Sequence, residues 1–242
     1  MSIGIIIPTY NEKDNLPLLV DRLRALPLEE LHILVIDDNS PDGTGAVADE
    51  LAARYPDCVS VIHRSGKLGL GTAYITGFKH MLDGGCDLIG QMDADLSHQP
   101  EKFVEFVTAL EGYDVVFGSR YIPGGSLDHD WPAWRKSLSN FGNTYARSIL
   151  HLPVKDLTGG FRLWRRDALA AIPWERVRAS GYVFMVEMAY VAQRLGLRIK
   201  EVPIYFAERQ HGKSKMNFSI QVEAALRVWG LLARYRDLKP LK

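Results

Sequence analysis

The chain has 242 residues, of which 47% are hydrophobic and 24% are charged, and this composition is typical of a globular protein with a substantial core. Its 29 basic and 29 acidic side chains balance, so no overall positive field favours nucleic acid as a partner. Two cysteines without close spacing favour a reducing, cytosolic setting over a disulfide scaffold or a zinc site. The apolar start ends at Pro8 and lacks the basic flank of a signal peptide, and no apolar run approaches the roughly 20 residues of a membrane span.

Short β-branched runs alternate with amphipathic stretches through the first half of the chain, a pattern that predicts βαβ units on a parallel sheet. We predict strands over residues 3–7, 32–36, 59–63, 88–92 and 115–118. The helices predicted between them cover residues 16–26, 46–55, 72–82 and 100–110. Pro100 followed by an acidic residue is a favourable opening for the last of these helices.

The pattern changes after Tyr121, where a flexible glycine-containing loop is predicted to run to Trp131. A helix over 135–150, a glycine-rich turn at 159–160, a short strand over 161–164 and a helix over 184–195 are predicted next. The chain then continues with a strand over 199–206, a basic loop and a last helix over 218–235. No repeat or linker divides the sequence, so we predict a single domain.

Polar side chains follow three of the predicted strands, and ligands of open parallel sheets bind beyond the carboxyl ends of the strands. These segments are Pro8-Thr9-Tyr10-Asn11-Glu12, Asp37-Asp38-Asn39-Ser40 and Asp93-Ala94-Asp95. Two carboxylates that flank a small residue can address one Mg²⁺ or Mn²⁺ ion if the chain turns between them. The alternative is that these acidic residues only begin a loop. An isolated D-x-D pair does not decide between the two.

The ordered set of motifs is more specific. Residues 5–12, 35–40 and 91–96 together resemble family 2 glycosyltransferases with the GT-A fold. The downstream motifs are similar to those of the dolichol-phosphate and polyprenol-phosphate mannosyltransferases: Gly118-Ser119-Arg120-Tyr121, Trp131-Pro132-Ala133-Trp134-Arg135-Lys136, Thr158-Gly159-Gly160-Phe161-Arg162 and Arg209-Gln210-His211-Gly212-Lys213-Ser214-Lys215. The resemblance implies an α/β fold with a mostly parallel central sheet and helices on both faces. It also implies a nucleotide-sugar-binding half at 1–120, an acceptor-binding half at 121–215 and a C-terminal amphipathic helix at 216–242.

The activity that this resemblance implies is inverting transfer of mannose from GDP-mannose to dolichyl or polyprenyl phosphate. Two alternatives stay open: a polyprenyl-phosphate glucosyltransferase that uses UDP-glucose, and a nucleotide-sugar-binding module without turnover. A polysaccharide synthase is disfavoured because the chain has no Q-x-x-R-W motif. A Rossmann dehydrogenase is disfavoured because Pro8-Thr9-Tyr10 follows the first predicted strand in place of a G-x-G-x-x-G turn.

The donor site follows from the resemblance residue by residue. The positions that match donor nucleotide ligands are Pro8, Tyr10, Glu12, Asp37, Asp38, Asp93 and Lys215. For Asp37 a turn cap is an equally good interpretation. Asp93 and Asp95 match the metal ligands, and Mg²⁺ or Mn²⁺ is the implied cofactor. Some relatives carry a further Gln ligand two positions after the second aspartate, but Ser97 stands there in this chain, so either Ser97 or water completes the coordination.

The acceptor site is implied in the same way, and its matching positions are Arg120, Arg135, Ser139 and Arg209. Guanidinium groups suit this task because they present a planar fork of donors to phosphate. Asp95 and Arg120 are the residues to which the resemblance assigns the central catalytic roles. We nominate no general base, because a phosphate monoester is already anionic near neutral pH.

The last predicted helix carries apolar residues at helical spacing, among them Leu226, Trp229 and Tyr235, with charged residues between them. Packing against the domain is one explanation, and lying on a membrane surface is the other. A second candidate surface is formed by Trp131, Trp134 and the helix that follows them. The resulting expectation is a peripheral protein on the cytoplasmic face of a membrane, which meets the lipid directly or through a membrane-anchoring subunit.

Overall fold

The protein, in a computed structural model that describes residues 1–178, 181–208 and 218–241, is built on one central sheet flanked by helices. The sheet has seven strands in the order β3-β2-β1-β4-β7-β5-β8, and a separate pair joins β6 to β9. The strands are β1 Ile3–Thr9, β2 Leu31–Asp37, β3 Val59–His63, β4 Leu88–Gln91, β5 Val115–Ser119, β6 Ser126–Leu127, β7 Arg162–Arg165, β8 Ile199–Pro203 and β9 Tyr205–Phe206.

Helices connect successive strands and cover both faces of the sheet, so that a separate apolar cluster fills each side. They are α1 Leu16–Arg24, α2 Thr44–Arg54, α3 Leu70–Asp83, α4 Lys102–Ala109, α5 Ala133–Leu150, α6 Arg166–Ala170, α7 Tyr182–Arg194 and α8 Phe218–Arg234. A 3₁₀ turn at Trp174–Arg176 precedes α7. In chain order β1 to β3 build outward in one direction, and β4 pairs with the other side of β1. The crevice at that reversal is where open α/β sheets bind ligands.

The only antiparallel member of the seven-stranded sheet in the described part of the chain is β7, which lies between β4 and β5. Because β7 runs in reverse, its amino end lies at the edge where β1, β2, β4 and β5 have their carboxyl ends. The glycine-rich turn at 159–160 therefore reaches the same edge as the polar residues that follow those four strands. The backbone N–H of Gly118 donates to the Phe161 carbonyl at 2.9 Å and fastens this turn to β5.

The predicted α/β class with a mostly parallel sheet is confirmed, and the strands of the first half lie within two residues of their predicted ends. The helix predicted from Pro100 begins two residues later, at Lys102, and Glu101 pairs with Arg22 on α1. Two local predictions were wrong. The strand predicted over 199–206 is interrupted at Ile204, a buried residue between the end of β8 and the start of β9. The loop predicted from residue 124 contains β6, which pairs with β9.

Close approach of α3 to β1 depends on a glycine. A β-carbon placed on Gly77 would lie 2.5 Å from Cγ2 of Ile6, which is fully buried in the middle of β1. Ile6 is branched at its β-carbon, so its Cγ2 has little freedom to move aside. The absence of a side chain at Gly77 therefore sets the distance between helix and sheet.

We expect Gly77→Ala to lower the free energy of unfolding by about 1–3 kcal/mol, because the extra methyl overpacks a closed core. The matched control is Gly142→Ala in α5, where a β-carbon meets no heavy atom within 4 Å. That change should raise stability by about 0.5–1 kcal/mol through helix propensity. Urea unfolding of both variants measures the two effects, and equal responses would contradict the packing argument.

Candidate active site

The acidic pair predicted as a metal site lies in a turn directly after β4. Asp95 is buried and Asp93 is half-buried, and Leu96 has a φ of 60° as the chain reverses. Ser97 donates to the Asp95 Oδ1 through both its backbone N–H and its hydroxyl. The Tyr74 hydroxyl donates to Asp93 Oδ1 at 3.2 Å. The turn that two cooperating carboxylates require is thus present, and Ser97 supports Asp95 from within it.

Gly160 packs directly on this acidic turn. A β-carbon there would lie 3.3 Å from Asp93 Oδ1 and 3.4 Å from the Met185 methyl. Because Gly160 has no side chain, the Asp93 carboxylate can lie close to the turn before β7. Burial, with the Asp93 carboxylate beside it, raises the pKa of Tyr74 well above its usual range, so Tyr74 is a constant donor to Asp93.

His98 is buried between the acidic turn and the arginine side of the site. Its Nδ1 accepts the Asp93 backbone N–H at 3.4 Å, and its ring packs on Phe161 and edge-on against Phe206. Burial lowers the pKa of His98, although the carboxylates of Asp93 and Asp95 oppose this effect. The neutral ring fixes the start of the acidic turn without adding charge to it.

The donor edge is formed by residues that follow β1 and β2. Asp38 pairs with the Arg64 guanidinium at 2.8 Å, and both side chains are less than 10% exposed. Arg64 also donates to the Thr72 hydroxyl at 2.6 Å, which fixes it on α3. Burial raises the pKa of Asp38, whereas Arg64 acts to lower it. Nearby, the Lys67 ammonium lies 4.3 Å from the centre of the Tyr10 ring.

Asp37 and Glu12 have local partners within the same edge. Asp37 accepts from the Thr9 hydroxyl at 2.9 Å and from the Ser40 hydroxyl at 2.6 Å, contacts that match the turn-cap interpretation. Glu12 accepts from the Asn15 amide at 2.8 Å. Pro8 is the penultimate residue of β1. These contacts hold the two strand ends in register.

The arginine side of the site is centred on a buried ion pair at the end of β5. Arg120 Nε and Nη2 each donate to Asp156 at 2.7 Å, and the backbone N–H of Arg120 donates to the same carboxylate at 3.0 Å. Burial alone would lower the pKa of Arg120, but the Asp156 carboxylate raises it. Arg120 also reaches the Thr158 hydroxyl at 2.9 Å and lies over the Phe206 ring.

A buried amide links this pair to α5. Asn143 accepts the Leu157 backbone N–H at 2.8 Å and donates to Thr158 at 3.2 Å and to the Ser139 carbonyl at 3.1 Å. The Tyr121 hydroxyl donates to Ser139 Oγ at 2.7 Å. Ser139 is therefore joined through Asn143 and Thr158 to the hydrogen-bonded network of Arg120.

Arg135 lies at the start of α5, over the face of Trp131 at 3.5 Å from the ring centre. It pairs with Glu208 at 3.1 Å, and this pair is partly exposed. Trp131 itself is buried, so its prediction as part of an exposed surface was wrong, whereas Trp134 is exposed. Arg209 and the loop residues Lys213, Ser214 and Lys215 lie outside the described residues.

The described residues contain no group of three or more His, Cys, Asp or Glu side chains that could hold a metal ion. Two carboxylates with added phosphate oxygens and water are nevertheless the donor set that Mg²⁺ commonly takes beside a nucleotide. In the same part of the chain, none of the helices is both long and apolar enough to cross a lipid bilayer.

The family model for "Glycosyl transferase family 2" matches residues 4–172, which include the acidic turn, Arg120 and Asp156. This chain belongs to glycosyl transferase family 2. The matched span ends after the turn and strand that follow Asp156, so among the site residues described above it leaves out Met185, Phe206 and Glu208.

Two curated relatives are similar to this family 2 glycosyltransferase over nearly its full length. An undecaprenyl-phosphate mannosyltransferase of Micrococcus luteus is 48% identical over 242 residues, covering 99% of this chain and 98% of its own. A polyprenol monophosphomannose synthase of Mycolicibacterium smegmatis is 47% identical over 234 residues, covering 95% of this chain and 87% of its own.

Solved structures of low identity share the fold. A mannosyl-3-phosphoglycerate synthase from Rubrobacter xylanophilus aligns with a TM-score of 0.68 at 20% identity, over 100% of this chain and 77% of its own. A mannosyltransferase from Pyrobaculum calidifontis, in complex with GDP-Man and Mn²⁺, aligns with a TM-score of 0.59 at 18% identity, over 99% and 76% of the two chains. The GT-A fold expected from the motifs is thereby confirmed.

Sequence reasoning missed four residues that build the site of this family 2 enzyme: Arg64, His98, Asn143 and Asp156. Asp156 stands two positions before the Thr158 motif, so its place beside a recognised segment was a usable signal. Arg64 lies in a loop that carries no motif, and Asn143 lies on α5 beyond the motif at its start, so only the tertiary contacts show their partners.

The Asp38–Arg64 pair predicts a pH-dependent loss of stability. Arg64→Leu leaves a buried carboxylate without its partner, so the free energy of unfolding should fall by about 3 kcal/mol at pH 7.5. The pKa of Asp38 in the folded state, already raised, should rise further. A carboxyl with a raised folded-state pKa stabilises the fold only while it is protonated, so the deficit should shrink as the pH falls towards 5.

Urea unfolding at the two pH values measures this deficit. The control is Arg22→Leu, which breaks the exposed pair with Glu101 and should cost less than about 1 kcal/mol at both pH values. A small deficit for Arg64→Leu that does not change with pH would show that the pair is not buried as described.

Proposed function

We propose that this glycosyltransferase moves mannose from GDP-mannose to the phosphate of a polyprenyl or dolichyl lipid, with inversion and with a bound divalent cation. The observation that carries the proposal is the placement of two carboxylates and a buried arginine at one sheet edge. The acidic turn follows β4, and the Arg120–Asp156 pair follows β5, with His98 packed between them. The two polyprenyl-phosphate relatives at 47–48% identity support the acceptor class.

Asp93 and Asp95 are the residues that would hold the cation, either Mg²⁺ or Mn²⁺. When bound, such an ion offsets the charge that builds up on the departing nucleoside diphosphate. Ser97 is already engaged with Asp95 Oδ1, so its part in this proposal is to orient Asp95, with water or phosphate oxygens completing the coordination. The GDP-Man and Mn²⁺ bound in the Pyrobaculum calidifontis structure support the choice of donor and metal class.

Donor recognition is assigned to the edge formed after β1 and β2. Asp38, held by Arg64, offers a fixed carboxylate to nucleoside hydroxyl or amide donors. Tyr10 and Lys67 give this edge an aromatic face with a cation beside it, which suits a base and its phosphates. Pro8, Glu12 and Asp37 shape the same edge, and Lys215 is proposed to reach the donor phosphates.

Acceptor activation needs little proton transfer. The second pKa of a phosphate monoester is about 6, so its oxygen is already a nucleophile at neutral pH. The difficulty is to hold two anions close together, and Arg120, Arg135 and Arg209 are proposed to offset that repulsion. Ser139 adds a hydroxyl from the second turn of α5. Orientation and charge compensation then supply the rate enhancement without a general base.

Removal of one metal-binding carboxylate should abolish transfer. The assay mixture contains GDP-mannose with radioactive mannose, a short polyprenyl phosphate and Mg²⁺ or Mn²⁺. With Asp95→Ala, the amount of label recovered in the organic phase should be at least about 100-fold lower than with the unmodified enzyme. The same variant should lose metal-dependent binding of GDP in calorimetry. Asp83→Ala, which removes an exposed carboxylate at the end of α3, is the matched control and should leave both unchanged.

Three results of this assay would contradict the proposal. Normal transfer by Asp95→Ala would remove the metal assignment. Transfer from UDP-glucose but not from GDP-mannose would show that the donor is UDP-glucose and that the proposed donor is wrong. Tight binding of nucleotide without any transfer would indicate a binding module.

The proposal that the protein binds a membrane surface is based on exposed apolar side chains of α5 and α8. Trp134 and Phe141 on α5 are 68% and 66% exposed, and Leu226 and Trp229 on α8 are 70% and 56% exposed. The two helices pack together, and the Trp229 indole donates to the Tyr145 hydroxyl at 3.1 Å. Exposed apolar residues grouped in this way are typical of interaction surfaces.

Other residues of α8 and the residue after it point into the domain. Val228, Leu231 and Tyr235 are buried, so the packing explanation holds for them, whereas Leu226 and Trp229 are exposed. We propose that the outward side rests on the lipid surface at the cytoplasmic face, alone or together with a membrane-anchoring subunit. Large apolar and aromatic residues are the ones that bury well at the headgroup boundary.

Phe141→Ser combined with Leu226→Ser should weaken binding to phosphatidylcholine–phosphatidylglycerol vesicles by at least about tenfold, because two large side chains no longer leave water. Transfer to a short, water-soluble polyprenyl phosphate should remain. Leu18→Ser with Val104→Ser removes exposed apolar residues from α1 and α4 and is the control. Equal losses in the two double variants, measured by vesicle co-sedimentation, would place the membrane contact elsewhere.

A further inference from the structure

The Arg120–Asp156 pair uses most of the hydrogen-bonding capacity of the arginine. The Nε–H group donates to one carboxylate oxygen of Asp156, and Nη2 donates both to the other oxygen and to the Thr158 hydroxyl. Nη1 makes no hydrogen bond to any residue of 1–178, 181–208 or 218–241. A guanidinium bound in this way cannot present its two-pronged edge to a phosphate, and it offers one nitrogen in a fixed direction.

Asp156 is itself held from several sides. Its backbone N–H donates to Glu201 at 3.0 Å, as does that of Lys155 at 2.9 Å, so a carboxylate of β8 fixes this loop. The Gly159 backbone N–H donates to Asp156 Oδ1 at 3.2 Å, and the backbone N–H of Arg120 occupies Oδ2. Asp156 is 1% exposed. The carboxylate is therefore a rigid mount for the guanidinium.

The same contacts exclude another task for Asp156. A general base needs an oxygen that can reach the acceptor and take its proton. Both oxygens of Asp156 already accept from Arg120, and the arginine outweighs burial to keep the pKa of Asp156 below its ordinary value. A carboxylate that is buried, doubly bonded to a cation and weakly basic is suited to orient its partner.

We infer that Asp156 is a positioning residue, which holds Arg120 so that Nη1 alone faces the anionic oxygen of the acceptor phosphate. Arg120 stays charged beside Asp156, so it attracts an anion by its charge and, through the fixed Nη1, also selects the direction from which the anion binds. This inference rests on the proposed function, because it requires Arg120 to meet the acceptor. It adds a residue that acts only through Arg120.

The chain contains a matched control on the same strand. At the opposite end of β5, Asp114 binds Arg198 with the same pattern: Oδ2 accepts the backbone N–H and Nε of Arg198, and Oδ1 accepts Nη2. That pair is far more exposed than the Arg120–Asp156 pair. Asp114→Asn therefore removes a carboxylate with the same pattern of hydrogen bonds to an arginine, outside the site.

The test is a double-variant cycle read as Michaelis constants for each substrate. Asp156→Asn should raise KM for a short polyprenyl phosphate at least about tenfold, because the charged hydrogen-bond partner that fixes Arg120 is lost. KM for GDP-mannose should stay within about twofold. When Arg120→Ala is already present, adding Asp156→Asn should change the acceptor KM by less than about twofold, because the two residues act as one unit. Asp114→Asn should change neither constant.

Thr158→Val gives a milder version in case Asp156→Asn does not fold. It removes only the hydroxyl that accepts from Nη2 and from Asn143, and it should raise the acceptor KM in the same direction by a smaller factor. An effect of Thr158→Val on the donor KM alone would count against the inference.

The outcomes separate this inference from the proposed function. If Arg120→Ala leaves the acceptor KM unchanged, the assignment of Arg120 to the acceptor is wrong. If Arg120→Ala raises it but Asp156→Asn does not, only the positioning role fails. A further tenfold increase when Asp156→Asn is added to Arg120→Ala would show that Asp156 acts independently, which overturns the inference.

Discussion

One constraint organises the whole molecule: the carboxyl ends of neighbouring parallel strands meet at one edge of the sheet. Strands β1, β2, β4 and β5 end in Thr9, Asp37, Gln91 and Ser119, and each is followed by polar residues at that edge. The reversed strand β7 adds the start of a strand to the same edge, so its glycine-rich turn packs on Asp93. The order and direction of the strands bring the site residues to one edge, and the individual contacts orient them there.

Charge is distributed along this edge in pairs rather than in patches. Asp38 is matched by Arg64, and Arg120 by Asp156, in ion pairs with little exposure. Such pairs contribute little net stability when compared with apolar residues, because the cost of removing both charges from water is high. Their value in this enzyme is geometric, since each holds one group in a fixed direction beside a proposed anionic or polar substrate.

Sequence patterns predicted the class of fold and most element positions, because the β-branched runs and amphipathic helices of the first half each follow one period. They failed where tertiary contacts decide. The break at Ile204 and the short pairing of β6 with β9 depend on partners distant in sequence. The acidic turn and Arg120 were predictable from motifs, whereas Arg64 and Asn143 were not, since a buried polar side chain looks like any surface residue until its partner is known.

Helix α5 carries two very different tasks on opposite sides. Phe141 points outward from the domain, and Asn143, two residues later and about 200° around the helix axis, is buried in the network of Ser139 and Thr158. A helix is stiff over so short a distance, so the separation between these two residues is fixed. If Phe141 rests in the lipid as proposed, the depth of that contact fixes the height of the phosphate-binding groups above the bilayer. Binding of the acceptor would then depend on the position of its phosphate relative to the bilayer surface, and it would not depend on the length of the hydrocarbon tail beyond the first few units.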